Sequence, residues 1–181
     1  IFNLNITSAQ DYGNLQYPLS GYSYRSVGPA FMSGRIADIA IDSNNENVWY
    51  VAVGSGGVWK TKNAGTTWMP LTDNMPFYST GSVTIDPNDS SRIWVGTGEN
   101  VAGRHVGIGH GIYLSKDSGS TWDNMGLKKS EHISKIIVHP DNSDIIWVAS
   151  QGPLWNSGGD RGLFMSNVGG NTWSFNLYVI V

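Results

Sequence analysis

One eight-residue pattern occurs three times in this chain, and it limits the possible folds more than any other feature. Residues 61–68 read Thr-Lys-Asn-Ala-Gly-Thr-Thr-Trp, 115–122 read Ser-Lys-Asp-Ser-Gly-Ser-Thr-Trp, and 166–173 read Ser-Asn-Val-Gly-Gly-Asn-Thr-Trp. The starts lie 54 and 51 residues apart (115 − 61 and 166 − 115). A period of this size marks one supersecondary unit built repeatedly, each copy burying its apolar face against the next.

The octet has the chemistry of a tight turn between two strands. Ser115 opens the central copy. Asp117 can accept hydrogen bonds from backbone N–H groups ahead of it. Gly119 supplies the positive φ that a chain reversal needs. Thr121 and Trp122 then suit a returning strand, and the Trp122 ring is expected to fold over the turn and seal it. In the first copy Asn63, Gly65 and Trp68 take these places. In the third, Gly170 and Trp173 remain, but Val168 stands where the acceptor should be, so this copy has lost its cap.

The surroundings repeat too. Alternating runs at 35–42, 82–87 and 133–140 each end in an Asn/Asp/Ser cluster. Trp-bearing apolar runs follow at 48–53, 93–97 and 145–149. A third run enters each octet, at 57–60, 111–114 and 162–165, and a fourth leaves it. Four antiparallel strands per ~50 residues is the blade of a β-propeller. The expected fold is all-β: blades at about 35–72, 79–127 and 132–178, forming part of a larger ring. No stretch carries a helical period of useful length. A β-sandwich also uses short alternating strands, but it does not explain the same four-strand order three times.

Two further segments complete the expected layout. Residues 23–28 resemble the strand that leaves each octet, with no octet before them, and read as the outer closing strand of another blade. Residues 10–22 read as a lead-in. Residues 1–9 resemble the end of a secretory signal peptide, with small residues Ser8 and Ala9 before Gln10; an ordinary disordered terminus is the alternative. The first alternative implies an exported, secreted or cell-envelope protein, bacterial because cysteine is absent.

Composition narrows the function classes. The 23 Gly, 8 Trp and 8 Tyr suit short strands and tight turns. A net charge of −3 leaves no basic footprint, so nucleic acid is not an expected partner. With no Cys there are no disulfides or thiolate metal sites. No apolar run reaches the ~18 residues of a membrane span. No motif asks for a cofactor, and no metal site is assigned.

The three octets resemble the Asp-box, or BNR repeat, Ser-x-Asp-x-Gly-x-Thr-Trp. Together with 25–30, 33–36, 55–61, 96–99 and His132, His139 and Pro140, they are similar to the group described as BNR-repeat glycosyl hydrolases or as sortilin N-terminal-like domains. The resemblance covers roughly 23–178. It implies a propeller, an exported location, and either of two functions: a binding or scaffold module for polysaccharide or protein, or a xyloglucanase-like glycoside hydrolase completed by further blades. The Asp-box is structural in such proteins.

A meander places alternate connections at opposite ends of a blade. The octets should share one end with the Asn/Asp clusters; the loops at 54–57, 99–110 and 151–161 should share the other. That second end holds the candidate site. Glu99 and Asp160 are the only pair of carboxylates offered for glycoside hydrolysis, which needs two. Arg35, Arg104, His105, His110, His132, Trp155 and Arg161 are the candidate ligand-binding residues. Trp155 could stack on a sugar ring. His105 and His110 would need a third ligand to hold a metal. Arg35, Arg104 and Arg161 could hold a sialic acid carboxylate, yet Ala37 breaks the sialidase Arg-Ile-Pro signature. The remaining expected partners are further blades of the same chain, or other copies of it.

Overall fold

The computed structural model describes residues 34–101 and 106–177. The signal-peptide, lead-in and closing-strand expectations, and Arg104 and His105, lie outside them. The described residues form twelve strands in three antiparallel sheets of four. The first holds β1 (Ile36–Ile41), β2 (Trp49–Val53), β3 (Gly57–Thr61) and β4 (Met69–Pro70). The second holds β5 (Thr80–Asp86), β6 (Asp89–Thr97), β7 (Ile112–Ser115) and β8 (Asp123–Asn124). The third holds β9 (Ile133–His139), β10 (Asn142–Ser150), β11 (Gly162–Ser166) and β12 (Ser174–Leu177). Each sheet is a simple meander in sequence order. The fourth strands β4 and β8 are only two residues long, and single backbone bonds continue beyond them, Leu71 N–H to Val58 O at 2.9 Å and Met125 N–H to Ile112 O at 2.8 Å.

The sheets stack as blades. The innermost strands β1, β5 and β9 lie side by side and line a common groove that includes Ile39, Ile41, Val83, Ile85, Ile136 and Val138. Between the first and second blades, Tyr50, Ala52 and Val58 of one meet Val83, Ile93, Val95 and Tyr113 of the other. The same positions recur one blade on, where Trp94, Ile112 and Leu114 meet Ile136, Ile146 and Val148. Alternation along each strand makes this possible, since one face serves the preceding blade and the other the following blade.

Each octet contains a tight reversal with both central residues at positive φ: Ala64 and Gly65 at 50° and 88°, Ser118 and Gly119 at 60° and 95°, Gly169 and Gly170 at 65° and 85°. The reversal sits inside the longer connection between the third and fourth strands, at 62–68, 116–122 and 167–173. Each turn is pinned at the same place to the neighbouring β1–β2-type turn by Ala64 N–H to Asn47 O, Ser118 N–H to Ser91 O and Gly169 N–H to Asp144 O, at 2.9–3.0 Å.

The octet rings also reach the neighbouring blades. Trp122 packs against the core between the first and second blades, and Trp173 against the core between the second and third, donating from Nε1 to Met125 O at 2.6 Å. The glycines permit this approach: a Cβ on Gly119 would lie 2.5 Å from Leu71, and one on Gly170 would lie 2.6 Å from Trp94. The octet is therefore a wedge between blades, and burying an apolar ring of that size is worth roughly 1.5–3 kcal/mol. Trp59 is buried, and Phe164 packs against the second blade. The exposed apolar residues of the first blade are instead Ile36, Ile39, Ile41, Trp68 and Met69.

Candidate functional site

The blade ends opposite the octets carry the candidate residues, and Glu99 ties them together. It follows β6, is 1% exposed, and accepts from three donors. Arg35 Nη2 donates to Oε2 at 2.5 Å, Ser55 Oγ to Oε1 at 2.9 Å, and Gly107 N–H to Oε2 at 3.3 Å. Its backbone carbonyl accepts from His132 Nδ1 at 2.8 Å. One residue so joins the first blade, the second blade, the loop after β6 and the start of the third. Gly54 makes room, since a Cβ there would sit 2.7 Å from Glu99 Oε1.

His132 is 2% exposed. A carbonyl can only accept, so the ring proton sits on Nδ1. Burial pushes its pKa below the usual imidazole value, and the bond to Glu99 and the nearby Glu131 and Glu99 charges offset this only in part. The ring is neutral at neutral pH and braces the junction.

Asp160 faces Lys129. Its Oδ2 accepts from Lys129 N–H at 3.0 Å and its own N–H donates to Lys129 O at 3.3 Å. Neither carboxylate contacts the other. Arg161 turns into its own loop, where Nη2 donates to the carbonyls of Pro153 and Asn156. His110 is exposed at the side chain, while its N–H donates to Thr97 Oγ1 at 2.7 Å. Trp155 stands out into solvent, 77% exposed, at the tip of the β10–β11 loop. Tyr78, 62% exposed and placed just before β5, is at the same end of the blades and was not picked out from the sequence. An aromatic in a polar loop beside Pro76 was the available signal. Among the described residues no group of three or more His, Cys, Asp or Glu could hold a metal ion.

The octet residues behave as a separate, structural set. Asp117 Oδ1 accepts from Thr121 N–H at 2.8 Å and Ser115 Oγ at 2.8 Å, and Oδ2 accepts from Thr121 Oγ1 at 2.6 Å. These bonds hold its carboxyl at about 2. Asn63 repeats the arrangement with Thr67 and Thr61. All three copies also rest on the first hydroxyl, a role the sequence did not reveal. Thr61, Ser115 and Ser166 each accept from the N–H two and four residues ahead.

No protein-family model matches the chain. It is 25% identical over 153 residues to an oligoxyloglucan-reducing end-specific xyloglucanase of Emericella nidulans, covering 77% of this chain and 17% of that protein. It is 26% identical over 172 residues to a xyloglucanase of Hypocrea jecorina, covering 78% of this chain and 19% of that protein. The chain thus spans less than a fifth of the length of these curated relatives. In three dimensions it superposes on the crystal structure of an ancestral GH74 enzyme with a TM-score of 0.63, at 24% identity, over 78% of this chain and 18% of that one. It also superposes on YCF48 from Cyanidioschyzon merolae with a TM-score of 0.54, at 18% identity, over 81% and 38%. The chain is an arc of a β-propeller. Its blades are similar to those of these glycoside hydrolases, with the octet turns at one end of the arc and Tyr78, Trp155 and the Glu99 junction at the other. Among the described residues no helix is long and apolar enough to cross a membrane.

Proposed function

We propose that the chain is a polysaccharide-recognising arc of a glycoside-hydrolase-like propeller, and that its loop end takes a neutral, xyloglucan-type glycan. The exposure of Trp155 carries this reading. The indole is 77% exposed on a braced loop, and a sugar ring offers an apolar C–H face of matching size to stack on it. Tyr78 offers a second ring at the same end. The relatives named above as xyloglucanases supply the glycan class. Among the described residues the arginines fit a neutral ligand: Arg35 is engaged by Glu99 and Arg161 by backbone carbonyls. A polysaccharide of this kind is met outside the cell, which fits an exported protein. Calorimetric titration with a xyloglucan oligosaccharide should give saturable binding that Trp155→Ala abolishes. Equal binding by wild type and Trp155→Ala, or no binding by wild type, would refute the reading.

Hydrolysis is the second reading, motivated by the activity named in those relatives. Glu99 and Asp160 are then the carboxylates, one protonating the leaving oxygen. A general acid has to reach that oxygen, and both Glu99 oxygens already accept from protein donors. Recognition therefore stands first. Assay of reducing ends released from xyloglucan, with Glu99→Gln beside wild type, separates the two. Turnover lost in a folded Glu99→Gln protein would favour the enzyme.

A further inference from the structure

The loop that presents Trp155 is built as a rigid mount, and we propose that Arg161 is the positioning residue that sets the indole in place for its ligand. The inference rests on the glycan-recognition reading for what Trp155 binds, but the bracing stands on geometry alone. Arg161 Nη2 donates to the carbonyls of Pro153 and Asn156, the two residues that bracket Leu154 and Trp155. One guanidinium thereby closes the segment carrying the ring. Its stem fills the neck of the loop: a Cβ on Gly152 would lie 2.8 Å from Arg161 Cβ and 3.3 Å from its Nε. Gly152, Gly158 and Gly159 hold φ at 69°, 87° and 71°, backbone that other residues rarely adopt.

The base of the mount is fixed as well. Gln151 N–H donates to His132 O at 2.9 Å, and Ser150 Oγ donates to Asp160 O. Asp160 exchanges two hydrogen bonds with Lys129, one through its carboxylate and one through its N–H. A Cβ on Gly159 would meet Lys129 O at 2.6 Å and Pro153 Cδ at 2.5 Å, so the far side of the loop sits directly on its base. On this proposal Arg161 and Asp160 act behind the indole. They remove the freedom that an exposed tryptophan loop would otherwise lose on binding, which is how preorganisation raises affinity.

The test uses the 181-residue chain, with Arg161→Met to keep the stem but drop the guanidinium, Trp155→Ala, and the double variant. Two quantities are read: amide hydrogen exchange over 152–160, and affinity for a xyloglucan oligosaccharide. Arg161→Met should speed exchange in the loop at least ~10-fold, since the bonds that close it are gone. It should weaken binding by roughly 5- to 10-fold, within the usual range of ordering costs. In the Trp155→Ala background it should change affinity no further, because the residue acts only through the indole. Arg161→Lys should recover part of both effects. Unchanged exchange in Arg161→Met overturns the proposal whatever the ligand does. Faster exchange with affinity unchanged overturns the positioning role. Faster exchange in a protein that binds no xyloglucan oligosaccharide leaves the brace standing and removes the glycan reading.

Discussion

Asp38 and Lys135 pair at 2.9 Å although they belong to the first and third blades, so the ion pair reaches over the blade between them. Asp38 Oδ2 also accepts from Val83 N–H of that middle blade at 3.2 Å. One carboxylate on β1 therefore joins all three inner strands at the axis. The lysine side chain is 52% exposed, and exposed pairs contribute only about 0–1 kcal/mol. Lys135→Met should accordingly cost less than about 1 kcal/mol, and the cost should shrink in high salt. Asp38→Ala also leaves the Val83 N–H, on the free edge of β5, without its acceptor and should cost about 1–2 kcal/mol more. Urea denaturation of both variants checks the order. Equal losses would mean that the Val83 bond contributes nothing.

The octet makes a graded prediction. Asp117→Ala removes the acceptor for Thr121 N–H, Thr121 Oγ1 and Ser115 Oγ, and should lower the melting temperature. Asp117→Asn should be milder, because Asn63 makes comparable bonds in the first copy. Val168→Asp should raise the melting temperature, since Ser166 already holds the third turn in the shape the carboxylate needs. The Asp117 carboxyl sits at about 2 against 3.8 ordinarily, so its contribution is complete above 3.8 and is lost as pH falls toward 2. Thermal melts across pH 2–5 should show Asp117→Ala converging on wild type at the acid end. A gap that persists unchanged at pH 2 would contradict the assignment.

His132 predicts a second, separate window. Its folded pKa is lowered by burial, so the unfolded chain takes up a proton first as pH drops below 6.5. The stability it contributes is full above 6.5 and declines as pH falls from there toward the folded value. His132→Asn keeps a donor without the titration and should flatten the stability profile in that window. An NMR titration placing the His132 pKa above 6.5 would contradict the burial argument.

The repeat was legible because everything that defines it is local. The octets, the alternating runs and the turn clusters each span a handful of residues, and three copies in phase leave few folds. The relations across blades were not legible. Arg35 finds Glu99 across 64 residues, and no spacing rule joins them. Trp122 also packs on a neighbouring blade, a contact that a local reading of its turn does not show. Arg161 reads from the sequence as a ligand-binding residue, and only the fold shows that its guanidinium also donates to the carbonyls of Pro153 and Asn156.

The equivalence of the blades also says what the first blade lacks. By register, Ile39 stands where Val83 and Ile136 stand in the next two blades. Those two are 2% and 1% exposed, and Ile39 is 52% exposed. We expect this face to take another blade, from the same polypeptide or from a second copy. The isolated 181-residue chain should then self-associate in sedimentation, and Ile39→Ser with Ile41→Ser should shift it toward monomer. A monodisperse wild-type monomer at all concentrations would show the face to be complete as it is.

The most direct test of the account follows backbone amide shifts while a xyloglucan oligosaccharide is titrated into the labelled chain. Shifts should gather at the loop end, in 54–57, 76–81, 106–110 and 151–161, with Trp155 among the largest, and the octets at 61–68, 115–122 and 166–173 should stay still. Shifts centred on the octets, or none at all, would contradict the assignment of glycan recognition to the loop end of these blades.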